Sequence, residues 1–217
     1  MKKLILLLLF IPLVSSGQFD NFRQIEKKEK EIENTKKQDV VFGVKAGLNL
    51  STIVTEGINY ENRSSFHFGL TAEIKFNEKF SLQPEFLYSG QGFINKDSEG
   101  PAIGTVNLLG RTSNLNYLNL PVIAKFYVLN TFFLETGPQI GCLINNNNSN
   151  RDGWEYTVPK SNFKFFDYGF NIGASYKLNS VINFNLRYYR GLRNVFENPN
   201  DPGEKNKVLS FSIGYKI

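Results

Sequence analysis

A chain of 217 residues with a single Cys can form no internal disulfide, and it is too short for two sizeable domains once an N-terminal leader is set aside. Its 25 Lys and Arg against 20 Asp and Glu leave a formal charge of +5. Two of those positive charges sit in the leader and the rest are scattered, which excludes the clustered basic patch that nucleic-acid binding needs. Beyond the leader no stretch approaches the roughly 20 consecutive apolar residues of a membrane-spanning helix, so a helical membrane protein is excluded as well.

In chain order, Lys2 and Lys3 precede an apolar run from Leu4 to Val14 and the small residues Ser15, Ser16 and Gly17. Residues 1–17 therefore read as an export signal with cleavage before Gln18. No Cys lies at that point, which disfavours a lipid-anchored lipoprotein. Residues 18–39 change character abruptly to FDNFRQIEKKEKEIENTKKQD after Gln18, with acidic and basic residues in balance. Phe19, Phe22, Ile25 and Ile32 fall near helical spacing, so this charged periplasmic segment is either a solvated linker or a short amphipathic docking helix.

From residue 40 to the C-terminus the pattern has period two, the repeat of a β-strand. The first predicted strand, residues 40–51, sets Phe42, Val44, Ala46, Leu48 and Leu50 against Gly43, Lys45, Gly47 and Asn49. The second, 65–76, is the clearest, with Phe66, Phe68, Leu70, Ala72, Ile74 and Phe76 opposite His67, Gly69, Thr71, Glu73 and Lys75. The third covers 80–91, the fourth 117–128, the fifth 131–143 and the sixth 165–178; the seventh begins at Ile182 and the last runs from Leu209 to the terminus. Strands two and three, four and five, and six and seven are joined by tight polar turns at Asn77, Asn130 and Asn179. The other four connections, 52–64, 92–116, 144–164 and 191–207, are long and polar.

An even number of antiparallel strands with short turns at one end and long loops at the other is the layout of a bacterial outer-membrane barrel. The predicted fold is thus all-β: an eight-stranded antiparallel transmembrane β-barrel over residues 40–217, with short periplasmic turns, long extracellular loops and both termini in the periplasm. A secreted lipocalin-like barrel would show the same period with apolar residues inside. Three features favour the membrane: aromatics gather near the strand ends of the apolar face, the polar face is rich in Gly, Asn, Ser and Thr, and loop lengths alternate. Pro84, Pro121 and Pro138 cannot donate to a ladder, which predicts β-bulges or local pairing breaks at those points.

With the polar face inward, Lys45, Lys75, Lys125, Lys177 and Arg187 share a lumen with Glu73, Glu85, Glu135 and Asp167. A barrel of eight strands is only wide enough for its own side chains. A charge network of Lys45, Glu73, Glu85, Glu135 and Arg187 is therefore expected to plug it, since a buried unpaired charge is costly.

The motifs GVKAGLNLS at 43–51, SLQPEFLYSGQG at 81–92, YLNLPVIAKF at 117–126, FFLETGPQIG at 132–141 and FDYGFNIGASYKL at 166–178, with RYYRGLRNV at 187–195 and LSFSIGYKI at 209–217, follow one another in order. Together they resemble the PorT-like family of outer-membrane β-barrel proteins, and the strand prolines belong to these same motifs. The resemblance implies an eight-stranded barrel in the cell outer membrane, with lipid and the barrel-assembly machinery as partners. Because the family name comes from a component associated with type IX secretion and gliding, envelope or secretion-complex proteins are further candidate partners. No catalytic or ligand residues travel with these motifs. The chain departs from the common aromatic terminus of barrel proteins by ending in Ile217, two positions after Tyr215.

Catalytic chemistry is sparse. The sole His, His67, lies on the polar face, and a rim enzyme would need Asp97, Asp152 or Asp167 beside it and a loop Ser as nucleophile, without any motif to support it. One His cannot build a His-based metal cluster, and Asn145 to Asn148 with Asp152 lack EF-hand spacing. No cofactor is expected. Trp154, Tyr156 and Phe163, in one long loop, form a candidate contact patch for a surface partner or glycan, or else pack on the rim. The expected function is a non-enzymatic integral outer-membrane barrel with a closed lumen and an accessory role in the envelope or in type IX secretion; the alternative is a surface-binding barrel acting through its extracellular loops.

Overall fold

A computed structural model describes residues 40–54, 60–95, 111–149, 155–156, 162–197 and 203–217. The expected signal at 1–17, the segment at 18–39, Asp97, Asp152 and Trp154 lie outside them. The described residues form β1 (Val40–Val54), β2 (Tyr60–Lys75), β3 (Phe80–Asn95), β4 (Arg111–Tyr127), β5 (Phe132–Ser149), the two-residue β6 (Glu155–Tyr156), β7 (Phe166–Lys177), β8 (Ile182–Asn194) and β9 (Lys205–Lys216). All pairings are antiparallel. The order runs β4-β3-β2-β1-β9-β8-β7-β5, and a further β4–β5 pairing closes eight strands into a barrel, with β6 attached to the far end of β5.

Two of the three tight turns have a local side-chain cause. Asn77 Oδ1 accepts from the Lys79 amide at 2.8 Å between β2 and β3, and Asn179 Oδ1 accepts from the amides of Val181 and Ile182 at 2.9 and 2.7 Å between β7 and β8. Side-chain acceptors of this kind replace a backbone partner and reverse the chain within a few residues.

The prolines interrupt the ladder without moving it. Pairing of β2 with β3 lapses between Thr71↔Glu85 and Ile74↔Leu82, beside Pro84. The β3–β4 ladder lapses beside Pro121 and the β4–β5 ladder beside Pro138. In each case the register is the same on both sides of the gap, so these are pairing breaks and not bulges. Register shifts occur instead at Asn62/His67, Asn116/Tyr117 and Arg190/Asn194, all toward the long-loop end.

Alternation puts the apolar face outside. Phe42, Leu48, Leu70, Leu120, Ile140, Ile172, Leu186 and Phe211 are all about half exposed or more, while Lys45, Asn49, Glu73, Glu85, Lys125 and Glu135 are buried in the lumen. On β1 the outward apolar residues run from Val40 to Leu50, about 33 Å of strand at the usual rise. Tilted by roughly 40°, that spans about 25 Å, the height of the apolar band of a transmembrane barrel. Aromatic clusters mark its two edges: Phe76, Phe80 and Phe126 toward the turns, with centroid separations of 5.5 and 5.3 Å, and Phe66, Phe68 and Tyr88 toward the loops.

Several strands continue past this band. Residues 92–95, 111–116, 144–149 and 191–194, expected in long loops, are strand. There the polarity inverts in large part: Asn62, Asn145 and Asn147 are exposed, with Leu192 as an exposed apolar exception, while Ile53, Phe93, Leu115, Tyr117, Leu143, Phe163 and Val195 form a buried apolar cluster inside. Amides outward and hydrocarbon inward is the pattern of a barrel standing in water. Gly92 lies at the transition with φ +136, where a Cβ would stand 1.9 Å from the Ser113 carbonyl oxygen; only glycine fits. Over the top, Phe163 pairs with Phe196 in an isolated bridge, and Lys164 N donates to Val195 O at 2.8 Å.

Candidate functional site

The inward face of the strands, taken from the turn end upward, holds three polar layers beneath the apolar cluster. In the lowest, Glu73 on β2 accepts from Ser81 Oγ at 2.9 Å and from the Tyr127 hydroxyl, with Lys216 Nζ 2.7 Å and Lys125 Nζ 3.6 Å from its Oε2. Lys125 also donates to Gln83 and lies 4.9 Å from the Phe133 ring centroid.

The middle layer centres on Arg187. Its guanidinium reaches Glu85 with Nη1 to Oε2 at 2.9 Å and Nη2 to Oε1 at 3.0 Å, and reaches Glu135 Oε2 with Nη2 at 2.7 Å and Nε at 3.2 Å. Lys45 Nζ stands 3.3 Å from Glu85 Oε1, which also accepts from Gln83 Nε2 at 2.6 Å. Glu135 Oε1 accepts from Ser175 Oγ at 2.7 Å and Asn185 Nδ2 at 2.9 Å. Two cations and two carboxylates are thus neutralised and hydrogen-bonded together, which is what allows such charges to be buried.

The structure brings Lys45, Glu85, Glu135 and Arg187 into one cluster and places Glu73 in the layer below, with Lys125 and Lys216. Lys216 was missed by sequence reasoning although it alternates with the outward Tyr215, so strand parity alone would have found it. Lys75, expected in the lumen, is exposed at the turn end, and Lys177 is only half-buried. Asp167 joins a separate group nearer the loops, accepting from Tyr189 Oη at 3.0 Å and Asn206 Nδ2 at 2.8 Å.

The third layer surrounds His67. Asn49 Nδ2 donates to Ser89 Oγ and Gly90 O, so its Oδ1 is the acceptor facing His67 Nδ1 at 2.8 Å. His67 Nε2 then accepts from Ser212 Oγ, also at 2.8 Å. Ser212, His67 and Asn49 stand in the order of a nucleophile, its base and an orienting group. Ser212 is 1% exposed, however, and the adjoining cavity of about 30 Å³ has room for about one or two water molecules. Among the described residues, these three side chains form a hydrogen-bonded filling of the lumen.

Of the candidate loop patch, Phe163 is the one residue whose side chain is described. Trp154 is outside the described residues, and Tyr156 is placed only as part of the β6 backbone. Phe163 is 4% exposed within the apolar cluster and so is not part of an exposed surface. Its burial has a physical reason: the strands extend beyond the band and enclose it. Asn145 to Asn148, expected in a long polar connection, pair with β4 instead. Among the described residues no group of His, Cys, Asp and Glu could hold a metal ion. Cys142 is half-buried on the outer face beside Phe166.

No curated protein sequence matches the chain. Among solved structures it is similar to Neisserial surface protein A, at 14% identity and TM-score 0.51 over 83% of this chain and 100% of that one. It is also similar to the attachment invasion locus protein Ail of Yersinia pestis, at 10% identity and TM-score 0.49 over 82% and 99%, and to outer membrane protein W of E. coli, at 14% identity and TM-score 0.40 over 84% and 100%. At these identities the likeness concerns the fold alone. A family model described as outer membrane protein β-barrel domain matches residues 22–197. With most of its length matched and eight strands closed around a charged lumen, the chain belongs to the outer membrane protein β-barrel domain family.

Proposed function

We propose that the protein is a non-enzymatic, non-conducting outer-membrane barrel that serves as a rigid anchor, with its long-loop end outside the cell and both termini in the periplasm. The observation that carries this reading is the double closure of the lumen. The Lys45, Glu85, Glu135 and Arg187 cluster fills its middle, and the apolar cluster around Leu115, Leu143 and Phe163 fills its outer end. A lumen so filled offers no path to solutes, which leaves the protruding end and the periplasmic segment to do the work.

The specific role we favour is an accessory one in the envelope or in type IX secretion. The motif succession that resembles the PorT-like family supports it. The second reading, a surface-binding barrel, draws on the outer extension of the strands, which has an apolar core of its own and stands beyond the membrane band; loops carried on a rigid scaffold are where binding usually resides. Co-purification from detergent-solubilised membranes tests the choice. A stoichiometric envelope or secretion protein supports the first reading, and recovery of the barrel alone, with loop-dependent binding to a surface ligand, supports the second. Steady ion channels from purified protein in planar bilayers overturn the anchor model altogether.

A further inference from the structure

Along the outward face of β8 and β9 the side chains change from hydrocarbon to cation in a single step. Leu186 is opposite Phe211 and Tyr188 opposite Leu209; the next outward pair is Arg190 opposite Lys207. These two cations are direct cross-strand neighbours, and like charges in that relation repel. Neither forms an ion pair among the described residues, and their other ladder neighbours, Phe170 on β7 and Thr52 on β1, carry no charge. Lys207 Nζ lies 6.0 Å from the Tyr188 ring centroid, which holds it down over the edge of the apolar band. Lys205 follows two residues further along the same face, and the bulge between Arg190 and Asn194 breaks the ladder just beyond the pair.

We propose that Arg190 and Lys207 bind the phosphate of a phosphorylated glycolipid in the surrounding leaflet, whose acyl chains lie down the apolar face below Tyr188 and Leu209. The chemistry fits at both ends. A dianionic group between the two cations converts their repulsion into attraction, and Arg adds paired donors suited to phosphate oxygens. The apolar residues directly beneath take the chains at the depth where a membrane lipid carries them. A free phosphate shares only the first half of this complementarity, so the site is assigned to the lipid.

The test is lipid retention by the purified barrel in detergent, read by native mass spectrometry after addition of bisphosphorylated lipid A, the same lipid without its phosphates, or inorganic phosphate. We expect the wild type to retain the bisphosphorylated lipid. R190Q/K207Q should hold it about 10- to 30-fold more weakly, as expected for two interfacial charges, while K79Q at the turn end changes nothing. Heat-modifiable migration in SDS reports whether each variant is folded. Should the double variant misfold, the comparison of phosphorylated with dephosphorylated lipid on the wild type still decides. Equal retention of both lipids, or full displacement by inorganic phosphate at equal concentration, overturns the proposal. Binding in detergent does not depend on which way the barrel is inserted, so failure here is distinguishable from failure of the orientation proposed above.

Discussion

Arg187 and Glu85 grip each other across the full width of the barrel, with bidentate distances of 2.9 and 3.0 Å. Their strands, β8 and β3, are four places apart in a closed ring of eight, so the pair is a cross-brace between opposite walls. The pair sits in a lumen from which water is largely excluded. Removing one partner there costs far more than the pair itself contributes.

Glu85→Ala should accordingly destabilise the barrel by about 3 to 5 kcal/mol, because it strands Arg187 and Lys45 with Glu135 as the one remaining carboxylate of the cluster. Replacing Lys45, Glu85, Glu135 and Arg187 together by apolar residues of similar volume should be much milder. Urea unfolding in lipid vesicles measures both. A Glu85→Ala protein as stable as the wild type would show that the cluster contributes little.

Leu70 is 60% exposed near the middle of the apolar band. Leu70→Arg should cost roughly 2 to 4 kcal/mol if bilayer covers that face, whereas Thr71→Ser beside it should be nearly silent. Equal tolerance of the two substitutions would contradict the face assignment.

Leu143 is fully buried in the apolar cluster, inside a barrel whose lumen elsewhere is lined mostly by polar and charged side chains. Leu143→Ala should cost about 2 to 5 kcal/mol, the range for a cavity in a packed core. Leu192→Ala, at an exposed outward position, should cost far less. If the two cost the same in the unfolding assay, the outer extension has no core of its own.

Orientation is tested by labelling. Asn147 is exposed on the outer extension of β5, and Asn179 is exposed in the turn between β7 and β8. In a Cys142→Ser background, Asn147→Cys should react with an impermeant maleimide on intact cells and Asn179→Cys should not. The opposite labelling pattern would invert the barrel.

The barrel was legible in the sequence because alternation and turn chemistry are local: Phe66 to Phe76 declare one face of a strand, and Asn77 and Asn179 declare turns, without reference to anything distant. The inward parity of Lys45, Glu85, Glu135 and Arg187 was legible for the same reason. Which of them touch depends on closure and register, properties of the whole ring, so the Arg187 to Glu85 brace and the descent of Glu73 to Lys125 and Lys216 appear only in three dimensions. The outer extension was hidden by the same limit. Ile53, Phe93, Leu115 and Leu143 keep inward parity past the band, but Asn62, Asn114, Asn116, Asn145 and Asn147 break the outward apolar stripe there, so the hydrocarbon that marks a strand as membrane-spanning moves in large part to the inner side. Read locally, that inversion resembles the end of a strand; only the packing of those side chains against one another in the tertiary structure shows that the barrel continues beyond the membrane band.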